Sequence, residues 1–178
     1  SSPTLMTEVV KRLGLNETYT IRNGLKRVQL YKASPVSVIP KGKNSIVGFQ
    51  IELNSKEKFT LSDFTLGGKE VDDVVSGAFN DSIQTPVGSM YISTTQYFNE
   101  EYVGASITYH QGGIVGTTDY YTKNLRTELG NQDATIINLS IDDASIQKAE
   151  DILNTLIEVY NEKWIQDKNQ IAVSTSQF

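Results

Sequence analysis

The residues with the clearest chemical suggestion lie at 103–116. There an alternating tract, Val103–His110, runs into Gln111-Gly-Gly-Ile-Val-Gly116 and then a helical pattern. Glycines between a strand and a helix N-terminus can cradle a phosphate, because free N–H groups and the helix dipole point at the anion. The spacing here is G-G-x-x-G, which matches neither the G-x-G-x-x-G dinucleotide fingerprint nor a Walker loop with its Lys-Ser/Thr. A turn needing backbone freedom is the better reading. Gly67-Gly68-Lys69 fails the same comparison and reads as a hairpin turn. His110 is the single histidine. No His pair is therefore available for a metal, and any Ser-His-Asp triad would need this residue. No G-x-S-x-G elbow supplies the serine, so a surface or hydrogen-bonded histidine is expected.

The acidic pairs Asp72-Asp73, Glu100-Glu101 and Asp142-Asp143 carry the residue type for general acid–base work. Adjacent residues on a strand or loop point apart, however, and their spacing lacks the D-x-D-x-D-G pattern of a calcium loop. Tyr91, Tyr97, Tyr102, Tyr109, Tyr120 and Tyr121 could stack on sugars if they shared one exposed face. Strand propensity explains the same tyrosines. The expectation is no catalytic residue, no cofactor-binding residue, no metal ligand and no cofactor.

The elements that would position these groups read as follows. Ser2-Pro3 starts a helix, with Leu5, Met6, Val9, Val10 and Leu13 as its apolar stripe and Gly14 as its stop. Leu25–Tyr31 and 36–39 read as short strands. Val47, Phe49, Ile51 and Leu53 alternate with Gly48, Gln50 and Glu52, the clearest half-buried strand. Strands follow at Phe59–Phe64, Gly88–Thr95 and Val103–His110. Thr118, Tyr121, Leu125 and Leu129 are spaced as one helix face ending at Gly130-Asn131. Thr135–Ile141 returns to alternation. Asp142 or Asp143 then caps a long helix from about Ala144, with Ile146, Ala149, Ile152, Leu153, Leu156, Val159 and Tyr160 inward and a polar stretch beyond Trp164. This predicts an α+β fold: an antiparallel or mixed sheet with packed helices, a β-rich middle insertion at about 40–110 and a long C-terminal helix.

Composition narrows the function classes. The chain has 178 residues, enough for one domain on a prior of about 150. It has no cysteine, which excludes disulfides, iron–sulfur ligation and thiol nucleophiles. Twenty-one acids against 16 bases give a net charge of −5, which argues against nucleic acid as a partner. No run approaches the roughly 18 apolar residues of a membrane helix, and no signal peptide is evident. The chain opens without Met and ends on an uncapped helical pattern, Ala172–Phe178, so it is expected to be a piece of a longer protein.

At Thr135–Phe178 the sequence stops being generic. Ile136-Ile-Asn-Leu-Ser-Ile-Asp-Asp143, Ala149-Glu-Asp-Ile-Leu-Asn-Thr-Leu156, Val159-Tyr-Asn161 and Asp167-Lys-Asn169 resemble the periplasmic region of the chain-length determinant (Wzz) family, nearest the branch fused to a cytoplasmic tyrosine kinase. The family helix is patterned A-x-x-x-x-N-x-L, matched by Ala149, Asn154 and Leu156; the usual Pro is missing at Ala144-Ser145. Ser2–Leu15, Leu30–Val36 and Thr85–Gly88 resemble the start and middle of that region. The likeness is sharp at both ends and loose over 40–130. It implies a periplasmic domain, 1–178, of an inner-membrane polysaccharide co-polymerase whose membrane helices lie outside this chain. Such proteins set the length of capsular polysaccharide, exopolysaccharide or O-antigen. The implied partners are further copies in a ring-like homo-oligomer, the polymerase and export machinery, and polysaccharide itself. Kinase activity is not implied for this segment, which has neither a nucleotide loop nor a Tyr-rich tail. The alternative from the β-rich, Tyr-bearing middle is a secreted or surface carbohydrate-binding module without catalysis.

Overall fold

A computed structural model describes residues 2–42, 45–129, 137–141, 143 and 145–176. The chain opens with α1 (Ser2–Leu13), followed by β1 (Glu17–Asn23), β2 (Lys26–Gln29) and β3 (Val36–Lys41). Next come β4 (Val47–Leu53), β5 (Lys58–Leu66), β6 (Lys69–Val71), β7 (Val75–Ala78), β8 (Asp81–Thr85), β9 (Gly88–Thr94) and β10 (Ser106–Gln111). It closes with α2 (Ile114–Asn124), β11 (Leu125–Leu129), β12 (Ile137–Ile141) and α3 (Ile146–Ser176). The fold is α+β, and every strand pairing among the described residues is antiparallel. No helix among them is long and apolar enough to cross a membrane.

The chain divides into two compact units. One is built from the two ends, residues 1–15 and 114–178; the other is Asn16–Gly113. Strands therefore begin well before residue 40.

In the end-built unit, α1 packs against both α2 and α3. Met6, Val9 and Val10 of α1 and Ile152 of α3 are fully buried, and Tyr121 of α2 and Leu156 and Val159 of α3 are buried beside them in the same unit. Gly14 stops α1 as expected: it takes φ +61°, its N–H donates to Lys11 O, and Leu15 N–H reaches back to Val10 O at 3.0 Å. That pair of bonds is a Schellman closure, which needs a residue free to be left-handed. Arg12 donates to Glu162 of α3 at 3.0 Å and, within α1, to Glu8 at 3.1 Å.

Several expectations here are corrected. The helix predicted to run through Leu129 ends at Asn124, and Leu125–Leu129 forms a hairpin-like pair with β12. Asn124 Nδ2 donates to Tyr120 O at 2.9 Å, taking up a carbonyl of the last turn. The cap of α3 is Ser145, not Asp143: its Oγ accepts from Lys148 N–H at 3.2 Å, while Asp143 Oδ1 holds Ser145 N–H at 2.9 Å. Ile146 and Tyr160 are exposed rather than inward. Asp142, Ala144 and Gly130-Asn131 lie outside the described residues.

The β unit carries two sheets. The larger has seven strands in the order β2-β1-β10-β4-β5-β6, with β7 also on β5; the smaller is β3-β9-β8. Phe49, Ile51, Leu53, Phe59, Leu61, Ile107 and Tyr109 from the larger sheet meet Val36, Val38, Met90 and Ile92 from the smaller in one buried cluster. Tyr19 on β1 ties the two together, its hydroxyl accepting Val38 N–H of β3 at 2.8 Å. The alternation of β4 holds as predicted, and Gly67-Gly68 turns β5 into β6 with both residues at positive φ. β1, β7 and β8 were not anticipated. The predicted Val103–His110 strand starts only at Ser106, because Glu100–Tyr102 forms a 3-10 turn and Gly104 takes φ +89°.

One irregularity shapes the larger sheet. Gly48 pairs with Thr65 but Gln50 pairs with Ser62, so Phe49 faces two residues, Asp63 and Phe64. This bulge lets Leu61 and Phe64, three apart, both enter the core. The extra residue is Asp63, held left-handed at φ +54°, a conformation that Asp tolerates better than most side chains.

Candidate functional site: a polar hollow on the larger sheet

Because side chains alternate across a strand, burying one face of the larger sheet turns every second residue to the other side. On that outer side cross-strand register aligns two polar rows. Thr18, His110, Gly48 and Thr65 form the first, across β1, β10, β4 and β5. Gln29, Thr20, Thr108, Gln50 and Ser62 form the second, across β2 to β5. A hollow of about 340 Å3 opens over these rows, rimmed by Arg27 of β2 on one side and Asp63 of the bulge on the other.

Gly48 shapes its floor. A methyl group there would stand 2.8 Å from Thr65 Oγ1 and 3.6 Å from His110 Cδ2. The neighbouring side chains thus close over bare backbone. Among the described residues, the side chains of Thr18, Thr20, Gln50, Thr65, Thr108 and His110 hydrogen-bond to nothing, and Arg27 and Asp63 enter no ion pair. Beneath the hollow the sheet is firmly held. Tyr109 donates to Glu17 at 2.7 Å, and Gln111 Nε2 donates to Ser45 O at 3.2 Å. Burial pushes the Tyr109 hydroxyl far above its ordinary range, with the Glu17 carboxylate adding to it.

Of the candidate residues singled out in the sequence, His110 and Tyr109 line this hollow, Tyr109 with its side chain buried in the core. Gly112 N–H is engaged by Asn16 O at 2.7 Å, and Asn16 Nδ2 returns to Gly112 O at 3.3 Å, so part of that loop's donor set is already used. Gly67 N–H is likewise engaged, by Ile46 O at 2.8 Å. Glu100-Glu101 sit in a 3-10 turn capped by Asn99, whose Oδ1 accepts Glu101 N–H at 2.9 Å. Asp72-Asp73 follow β6 and Asp143 serves the start of α3, so the acid pairs never converge. The tyrosines do not share a face either. Tyr109 and Tyr121 are buried, Tyr91 lies on the smaller sheet, and Tyr120 belongs to α2 in the other unit.

Sequence reasoning missed the threonines of the hollow, although Glu17-Thr-Tyr-Thr-Ile21 and Ser106-Ile-Thr-Tyr-His110 carry the polar phase of each strand in plain sight. It also missed Lys148, a lysine only 3% exposed. Its Nζ stands 3.7 Å from Asp143 Oδ2 and 5.8 Å from the centre of the Tyr121 ring. That cluster sits in the core of the end-built unit. Burial first, and the Asp143 charge second, push the Tyr121 hydroxyl well above its usual range.

No protein-family model and no curated protein sequence matches the chain. The hollow offers hydroxyls, an amide, an imidazole, one cation and one carboxylate on a rigid, half-buried surface. That set suits reversible hydrogen bonding to a polyhydroxylated ligand. Among the described residues its threonines, His110 and Asp63 are not joined by hydrogen bonds into the nucleophile–base–orienter chain of covalent catalysis.

Proposed function

We propose that the chain is the periplasmic part of an inner-membrane polysaccharide co-polymerase, which regulates the length and export of a capsular polysaccharide, exopolysaccharide or O-antigen without catalysing a reaction in this segment. One observation carries the reading. The two stretches that most resemble the chain-length determinant family, 2–15 and 135–178, fold into the same unit, with α1 packed on α3. Most of the loosely similar stretch, 40–113 of 40–130, lies in the other unit, which leaves after Leu15, returns at Ile114 and also holds the similar Leu30–Val36. A family region interrupted by a variable body has this organisation.

The self-associating role agrees with α3, whose residues from Tyr160 to Ser176 are exposed throughout, Trp164, Ile165, Ile171 and Val173 included. Other copies, the polymerase and the export machinery are the partners of this reading. A free-standing carbohydrate-binding module is less well supported, because its expected tyrosine platform is dispersed over both units.

The test is genetic. Deleting the codons for 2–176 in the native gene, in frame, should abolish the modal length of the cell's surface polysaccharide on a gel. An unchanged length distribution, with the shortened protein present, would remove the proposal.

A further inference from the structure

We propose that the hollow on the larger sheet binds an acidic sugar unit, its anionic group toward Arg27 and its ring hydroxyls over the two polar rows; the choice of a glycan rests on the function proposed above. Three observations converge on one ligand class.

The first is the unused polar inventory. A solvated sheet face ordinarily carries long charged side chains. The middle of this one carries Thr18, Thr20, Thr108 and Gln50, all half-buried and without partners among the described residues. Short hydroxyl side chains hold little rotamer entropy to lose, so each bond they form to a ligand is inexpensive in ordering. Sugar hydroxyls both donate and accept, as threonine hydroxyls do.

The second is charge. Arg27 stands directly opposite Arg22 across the β1–β2 hairpin, so two guanidinium groups share one face. Like charges placed so are destabilising, and neither enters an ion pair among the described residues. Basic side chains guard an edge strand against foreign pairing, but the guard needs no partner on the far rim. A bound carboxylate would relieve the repulsion and accept charge-assisted hydrogen bonds from Arg27. In a chain of net charge −5 this is a local reversal of sign.

The third is the far rim. Asp63 is held left-handed by the bulge and exposed, aimed away from the core that its neighbour Phe64 enters. Carboxylates accept from vicinal hydroxyls, so the strain places a second polar anchor opposite the cation. Four strand steps separate β2 from β5, roughly 19 Å at about 4.8 Å per step. That length exceeds a single sugar ring and fits a short oligosaccharide laid across the strands.

The test follows backbone amide NMR spectra of the 178-residue chain while three probes are titrated separately: a short oligo-glucuronate, a neutral oligo-glucose of equal length, and inorganic phosphate. Saturable shifts should appear with oligo-glucuronate at Thr18, Thr20, Gln50 and Thr108, weaker with the neutral sugar, and should fade as salt is raised. Arg27→Met should weaken oligo-glucuronate about tenfold, to near the neutral sugar, since a charged hydrogen bond is lost. Thr108→Val, which keeps shape and strand propensity, should weaken both sugars. Absence of saturable shifts with either sugar overturns the inference, as does unchanged binding in both variants. So does phosphate alone moving the same amides as strongly, the mark of a bare anion site. Sugar binding together with unaltered polymer length in the deletion strain would keep the hollow and discard the co-polymerase reading. The reverse pair of results would discard the hollow alone.

Discussion

Single side chains in this protein are constrained most where aromatic rings crowd glycine backbone. At Gly77 an added methyl group would lie 2.8 Å from Phe59 Cζ and 2.5 Å from Ile83 Cδ1. Phe59 is fully buried against Phe79, ring centres 5.0 Å apart, and cannot retreat. Gly77→Ala should therefore lower stability by about 1–3 kcal/mol through overpacking, measured by urea unfolding; a neutral result would show that β7 can shift. The buried tyrosines set a pH limit. Tyr19 is pushed up to about 12, first by burial, and Tyr109 and Tyr121 are pushed higher for the same leading reason. Groups whose folded pKa lies above the unfolded value of about 10 bind more protons when folded. Their stabilisation is complete below that pH and declines as pH rises through it. Thermal unfolding should hold steady to about pH 9 and the melting temperature should fall between about pH 10 and 12, less steeply in Tyr19→Phe. A flat profile through that window would show the hydroxyls to be open to water. Lys148 is a further constrained side chain, 3% exposed. Lys148→Met would leave Asp143, itself largely covered, without its cation, and removing one member of a buried pair costs about 3–5 kcal/mol. Pairing it with Asp143→Asn should recover part of that loss in the same denaturation assay.

Among the elements, α3 separates into a half with a buried face and an exposed half that meets α1 through Glu162. Ile152 is wholly buried while every residue from Tyr160 to Ser176 is exposed. Ile152→Ala should cost about 2–5 kcal/mol, whereas Lys163→Ala should stay within about 0.5 kcal/mol; similar losses from both would show the distal half to be packed. This division was legible, because Ile152, Leu156 and Val159 keep a helical spacing that thins after Trp164. β4 was legible for the same kind of reason, its period of two spelled out by Val47, Phe49, Ile51 and Leu53. β11 was not, since Tyr121, Leu125 and Leu129 fit a helix face equally well. What decides between them is pairing with β12, a tertiary contact that local spacing does not carry. β1 hid behind its threonines, although Asn23-Gly24 marks its turn, with Gly24 at φ +64°. The hollow was the least legible feature. Its rows join residues as distant as Thr18, Gln50, Thr65 and His110, and only strand register brings them together. The bulge at Asp63 was visible only as a break in parity between Leu61 and Phe64.

At the scale of the whole chain, the β unit enters and leaves at one place. Its first and last strands are antiparallel neighbours, Glu17 opposite Gln111, and Gly112 bonds Asn16 beside them. A body whose ends adjoin, with its own buried cluster, should fold when expressed as 16–113, with a cooperative unfolding transition. The remainder should fold when Leu15 and Ile114 are joined by a short Gly-Ser linker. Non-cooperative melting of both pieces would show that neither core suffices. The same neck has a mechanical meaning. Tension drawn along the chain through Leu15 and Ile114 meets β1 and β10 at adjacent ends, where the ladder bonds lie across the strands and open one after another. The β unit is thus built to unzip under a pull at Leu15 and Ile114 rather than resist it in shear, and such a pull would be felt first at Gly112 and Asn16.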